Sequence, residues 1–256
     1  MYEESDLLFG ETWEENSGIE FEEIYEQPRI PYTNGITFEQ LMKHISLKDK
    51  QLLQKIPIIG NGAPKKDMLD LQERLRQKVK NGTAEKDFIL TPLLTLSPEQ
   101  HWVVAIISPD KIQLFDSTLQ TREQQYKISR FNVSQYDCIN GDAIQNKDGT
   151  ICGLCSAEFM AEASKKNNLR ELERNIDDIC FKVAKNVYEY VNIDEARKQL
   201  TSKYVKLVEE SLLARQTIQN VINHPIELER QQMQYNNNSA NRHKQQNAIA
   251  YLYKQD

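Results

Sequence analysis

The feature that most constrains this chain is the run HWVVAIISPDKIQLF at residues 101–115. Two apolar, β-prone segments, His101 to Ser108 and Lys111 to Phe115, flank the pair Pro109-Asp110, which reads as two antiparallel strands joined by a tight turn. With a two-residue turn, Ser108 faces Lys111, and the register carries on to set Val103 opposite Asp116. His101 lies two residues before Val103, so it shares a face with Asp116, the two being diagonal neighbours with backbones about 7–8 Å apart. A three-residue turn would put them on opposite faces. An imidazole and a carboxylate reach across such a gap. A carboxylate bonded to one ring nitrogen fixes the tautomer and leaves the other nitrogen as a base. The plainer alternative is a surface histidine at a strand start and an aspartate capping the turn at Asp116-Ser117.

The rest of the chain surrounds this hairpin with helical periodicity. Residues 1–35 are acidic and lack periodicity, which predicts a surface arm. A first helix is expected from Thr37 to about Lys55, with Phe38, Leu41, Ile45 and Leu52 as its stripe. A second carries Met68, Leu71, Leu75 and Val79 and stops at Asn81-Gly82. Phe88 to Leu96 reads as a buried strand interrupted by Pro92, and Arg130 to Tyr136 as a fourth strand. A Gly-, Asp- and Asn-rich loop over 140–150 leads into a helix from Gly153 to Lys166. Helical period then runs from Leu169 to about Asn223. The expected class is α+β: a small mixed or antiparallel sheet flanked by helices. The expected division is an arm over 1–35, a core over 36–168, a helical extension over 169–230 and a polar, disordered tail over 231–256.

Composition narrows the function. A net charge of −6 argues against general nucleic-acid binding, which needs clustered Lys and Arg. No stretch reaches the roughly 18 consecutive apolar residues of a membrane span. The acidic start MYEESDLLFG lacks the basic and apolar regions of a secretory signal, so a cytosolic protein, or one exported without a cleaved signal, is expected. The four cysteines (Cys138, Cys152, Cys155 and Cys180) are then expected as reduced thiols. His44 and His224 read as structural or solvated, and His243 falls in the tail.

Cys152 follows the polar loop and opens a helix, where the helix dipole and free amides favour thiolate over thiol. Gly153 lets another backbone approach closely. Gln145, in the loop, offers a side-chain amide that could donate to an oxyanion. Singly, each has a bland reading: Gln145 as a solvated loop residue, Cys152 as a small core residue. Cys152-Gly-Leu-Cys155 is also a CxxC, the spacing of dithiol redox sites and zinc knuckles. A zinc site needs a further ligand pair, and Cys138 and Cys180 are isolated; a dithiol redox site should follow a strand rather than a polar loop. Cys155, with Phe159 one turn on, is expected to pack into the core.

The order His101-Trp102, a strand, Phe115-Asp116-Ser117, then QNKDGTICG over 145–153 resembles the signature of the Ulp/SENP-type cysteine proteases of clan CE. That clan also includes the adenoviral protease and bacterial effector deubiquitinases. The resemblance covers residues 60–165. It implies a papain-like core and a cysteine isopeptidase with His101 as base, Asp116 as its orienting partner, Cys152 as nucleophile and Gln145 as oxyanion donor. It implies substrate contacts from Trp102, lining a tunnel for a Gly-Gly tail, and from Gly153. It implies no cofactor and no metal, a monomer, and ubiquitin or a ubiquitin-like modifier with its conjugates as partner. Three departures stand out. Ile151 replaces the aspartate that many members carry before the cysteine, and Cys155 stands where many have an aromatic residue. The glutamine usually lies six or seven residues before the cysteine, so Asn146 is an alternative to Gln145 as donor and substrate contact. The alternatives in function are a clan CE acetyltransferase, which typically carries Glu in place of the Asp, a SUMO-type deconjugase, or a silent binding module.

Overall fold

The structure is a computed structural model that describes residues 35–59 and 62–219. The arm before Gly35, the polar tail, His224 and His243 lie outside the described residues.

Thr37 starts helix α1 (Phe38–Lys48) with a capping box: its hydroxyl accepts from the Gln40 amide, and the Gln40 side chain accepts from the Thr37 amide. The single helix expected as far as Lys55 is in fact two. Asp49 adopts extended backbone, ends α1, and uses its carboxylate to cap α2 (Lys50–Lys55) through the Leu52 amide at 2.9 Å. An aspartate that can cap competes with helix continuation, a preference that apolar spacing does not register. Helix α3 (Pro64–Lys80) begins on Pro64, where a missing N–H costs nothing, and ends at Asn81 before Gly82, whose φ is +67°.

The sheet has the order β1 (Ile89–Thr95), β2 (His101–Ile107), β3 (Ile112–Phe115), β6 (Asp137–Cys138). Pro92 sits in the edge strand β1, which is where a sheet tolerates proline. In the β2–β3 hairpin, Val104 opposes Phe115 and Ile107 opposes Ile112, and the Ser108 amide donates to Lys111 O at 2.9 Å. This is the register that sets His101 and Asp116 on one face. The fourth strand differs from expectation. After the short helix α4 (Gln120–Glu123), Phe131–Asn132 (β5) pairs only with Lys127–Ile128 (β4). Asn132 then caps a 3-10 turn over Val133–Gln135. The strand joining the sheet is Asp137–Cys138, parallel to β3.

Every residue of β2 is buried because both faces are covered. Val103, Ala105 and Ile107 meet Met68, Tyr126, Ile128 and Val133. Helix α5 (Cys152–Ala163) packs on the sheet, where Phe159 stacks on Phe115 with centroids 3.9 Å apart. Such a stack adds about 0.5–1.5 kcal/mol beyond the area it buries. The helices read as an extension are built into this body. Helix α6 (Leu169–Arg174) leads into α7 (Ile176–Tyr190), which packs along α5, and α8 (Ile193–Gln199) packs on α7. A last helix, α9, runs from 202 to the end of the described residues at 219. Among the described residues no helix is long and apolar enough to cross a membrane.

Candidate active site

The site lies where β2 begins and β3 ends. His101 Nε2 meets Asp116 Oδ1 at 2.7 Å, with both side chains buried. Asp116 is held on all sides. Its Oδ1 also accepts from the Thr118 amide and hydroxyl at 3.0 and 2.9 Å, and its Oδ2 from the Thr121 amide and hydroxyl at 2.9 and 2.8 Å. Asn140 brackets its backbone: Oδ1 accepts from the Asp116 amide at 3.2 Å and Nδ2 donates to its carbonyl at 2.8 Å. Arg122 Nη2 donates in turn to the carbonyls of Cys138 and Asn140. Burial alone would favour the neutral acid. The His101 contact and the amides of Thr121 and Thr118 outweigh it and hold the Asp116 carboxyl down at about 2.

His101 shows the reciprocal balance. Burial works against its charge, but the bond to Asp116 and the sulfur of Cys152 outweigh that and push its pKa up to about 10. Nε2 faces Asp116, which leaves Nδ1 as the ring nitrogen not engaged by the carboxylate. The ring lies against Tyr126, centroids 5.5 Å apart. The Tyr126 hydroxyl reaches Glu99 and Gln120, and Gln120 Nε2 donates to Lys147 O at 3.1 Å. The His101 ring is thereby tied to the loop that precedes the cysteine.

Cys152 is the first residue of α5 and 8% exposed. Ile151, which precedes it, gives the helix no side-chain cap. Gly153 has no room for a side chain: a Cβ there would fall against Ile36 and within 2.9 Å of Trp102 Cδ1. Trp102 is buried, with its Nε1 donating to Ile36 O at 2.9 Å and its ring stacked against Phe38. Residues 36–38, Trp102 and Gly153 therefore form one wall beside the cysteine.

Gln145 is buried, and its amide is used at one end only. Oε1 accepts from the Ser117 hydroxyl at 3.1 Å, while Nε2 has no partner among the described residues. A buried, unpaired donor costs about 1–3 kcal/mol, so Nε2 is open to a hydrogen-bond acceptor. Asn146 does not share this property. Its Nδ2 donates to Lys198 O at 2.7 Å and to Leu200 O at 2.9 Å, which corrects the expectation that either residue could supply the donor. Cys155 is fully buried. Burial and the neighbouring charges of Cys152 and Glu158 push its thiol well up, so it offers neither access nor a ready thiolate. Phe159, one turn on, is fully buried as well.

Residues that sequence reasoning missed form the support of this centre. Thr118 and Thr121 were legible in principle, because hydroxyls close after an aspartate mark turns that fold back on its carboxylate. Asn140 and Gln199 carried no such signal. The Asn146 amide donates to Gln199 O, the Thr150 amide donates to Gln199 Oε1, and the Thr201 amide donates to Ile144 O. His44, read as structural or solvated, is buried: its Nε2 meets Glu158 Oε1 at 2.6 Å, and Lys48 and Asn186 complete the carboxylate's partners.

Comparison of the chain with family models, with curated proteins and with solved structures finds no match. The geometry of the site is therefore what bears on function.

Proposed function

We propose that this protein is a papain-like cysteine isopeptidase that releases ubiquitin, or a ubiquitin-like modifier, from proteins through a thioester on Cys152. The observation that carries the reading is the unpaired, buried Nε2 of Gln145, in the loop that leads to Cys152, together with the linked set Asp116, His101 and Cys152. Nucleophile, base, orienting carboxylate and a donor awaiting an acceptor are the parts that acyl transfer needs.

In this reading the Cys152 sulfur attacks the carbonyl carbon of the modifier's terminal glycine. The carbonyl π electrons move to oxygen, where Gln145 Nε2 and the first amides of α5 stabilise the charge. His101 gives its Nδ1 proton to the departing lysine amine as the C–N bond breaks. It then takes a proton from water, whose oxygen attacks the thioester and expels the thiolate. Asp116 keeps the ring oriented throughout and stays ionised. The wall of Trp102, Ile36 and Gly153 lies beside Cys152, and a Gly-Gly tail is the slender, side-chain-free segment that this reading brings to it. Ubiquitin ranks ahead of SUMO by resemblance to bacterial members of clan CE.

The test is incubation with ubiquitin and with SUMO carrying carboxy-terminal electrophiles. An adduct is expected that is absent from Cys152→Ala. An adduct that persists in Cys152→Ala and vanishes in Cys155→Ala would overturn the assignment. Transfer of acetyl from acetyl-CoA to a protein, with no modifier cleavage, would replace hydrolysis by acyl transfer to an amine.

A further inference from the structure

The Gln145 amide can act as a donor only if it points the right way round. Rotated by half a turn, it would present Oε1 to the oxyanion and repel it. What sets its orientation is therefore part of the catalytic design. Ser117 bonds to this stretch of the loop three times: its carbonyl accepts from the Ile144 and Gln145 amides at 2.8 and 2.9 Å, and its hydroxyl donates to Gln145 Oε1 at 3.1 Å. Ser117 is fully buried and directly follows Asp116. Its hydroxyl also lies beside the Cys155 thiol, one turn along α5 from Cys152. Gly149 closes the other side, since a Cβ there would lie 2.7 Å from both Cγ and Nε2 of Gln145.

We infer that Ser117 is a positioning residue for the oxyanion donor: its hydroxyl holds the Gln145 amide with Nε2 turned towards the reacting carbonyl. The inference rests on the cysteine-hydrolase reading and adds to it a residue that touches neither substrate nor sulfur of the nucleophile.

The experiment compares two reactions of the same sulfur in the full chain. Acylation by 4-nitrophenyl acetate or hydrolysis of a carboxy-terminal ubiquitin amide passes through an oxyanion. Alkylation by iodoacetamide forms the S–C bond as iodide leaves and passes through none. Ser117→Ala is expected to lower acylation and kcat on the order of tenfold or more, bounded by the roughly 10²–10³-fold cost of losing an oxyanion donor outright. KM and the alkylation rate should stay within about twofold. Ser117→Thr, which keeps the hydroxyl, should recover most of the loss. In a Gln145→Ala background, Ser117→Ala should add nothing, because the amide it orients is gone. An equal fall in alkylation, or additive losses in the double variant, would reduce Ser117 to a folding residue and overturn the inference. Ester acylation with no turnover of any modifier would instead overturn the isopeptidase reading, with Ser117 still tested on the ester.

Discussion

Replacing Asp116 by asparagine keeps the shape of the site and removes one charge. The consequence can be worked from the two groups that face each other there. His101 is held at about 10 and Asp116 at about 2. The displacement is larger on the histidine because Cys152 also holds its proton. Asp116 gives the more conservative figure for the pair: on the order of 2 kcal/mol, at about 1.4 kcal/mol per tenfold change in protonation. The substituted amide would also present the wrong partner to Nε2, since it offers a donor as readily as an acceptor. The protonated ring should therefore lose its proton well below 10, and the alkaline limb of amide hydrolysis, where that proton goes to the leaving amine, should move down by about one pH unit or more. Turnover at neutral pH should fall on the order of 10²–10⁴-fold, as when a triad aspartate loses its charge. Stability gives a second readout. The raised His101 contributes stability that is complete below its unfolded value near 6.5 and lost as pH rises through about 10. The depressed Asp116 contributes stability present above about 3.8 and lost as pH falls through about 2. Urea midpoints should thus decline between about pH 7 and 10 in the wild type, and this slope should flatten in Asp116→Asn. An alkaline limb that stays near 10 in the variant would refute the coupling on which the site is built.

Gln145→Ala should lower kcat about 10²–10³-fold with little change in KM, read by steady-state kinetics, because the donor acts on charge that exists only in the transition state. Gly153→Ala pushes a methyl into Ile36 and Trp102. It should cost about 1–3 kcal/mol and lower Tm by several degrees on a calorimetric scan. Glu158→Ala removes the carboxylate that His44, Lys48 and Asn186 share between α1, α5 and α7. A loss of about 3–5 kcal/mol is expected in urea titrations, since the partners are left unpaired in a buried setting.

Much of this centre was legible because a hairpin register is arithmetic. Once Pro109-Asp110 is a two-residue turn, His101 and Asp116 must share a face, and the structure has that register. The cysteine was legible from position, as the residue where a polar loop meets an apolar helix. The proposed oxyanion donor was not, because Gln145 and Asn146 are chemically equivalent on paper. Only the fold shows that Lys198 and Leu200 carbonyls take the Asn146 amide while that of Gln145 stays unpaired. The misplaced strand and the divided first helix have one cause in common. Asn132 and Asp49 hydrogen-bond to backbone amides two or three residues ahead, and such local bonds end elements that side-chain periodicity would prolong.

The boundary drawn after residue 168 also gives way, with consequences for mechanism. Residues 142–150, the loop that holds Gln145 and delivers the chain to Cys152, are bonded to the junction of α8 and α9. Gln199 accepts from two of its amides, Thr201 bonds Ile144 O and Ala143 O, and Lys203 pairs with Asp142. A Cβ at Gly149 would lie 2.8 Å from Gln199 Oε1, so loop and junction are in contact as well as bonded. A loop rich in Gly, Asp and Asn has little of its own to resist motion, and a catalytic donor misplaced by about 1 Å can lose on the order of a hundredfold in rate. On the proposed reading, helices α8 and α9 hold the loop that places the donor, whatever else they bind. Gln199→Ala, which removes the Thr150 bond on a side chain remote from the sulfur in sequence, should lower kcat several-fold while iodoacetamide still alkylates Cys152 at nearly the wild-type rate. Full turnover in Gln199→Ala, and in a Gln199→Ala/Thr201→Val double variant, would return the helices to the status of an appendage.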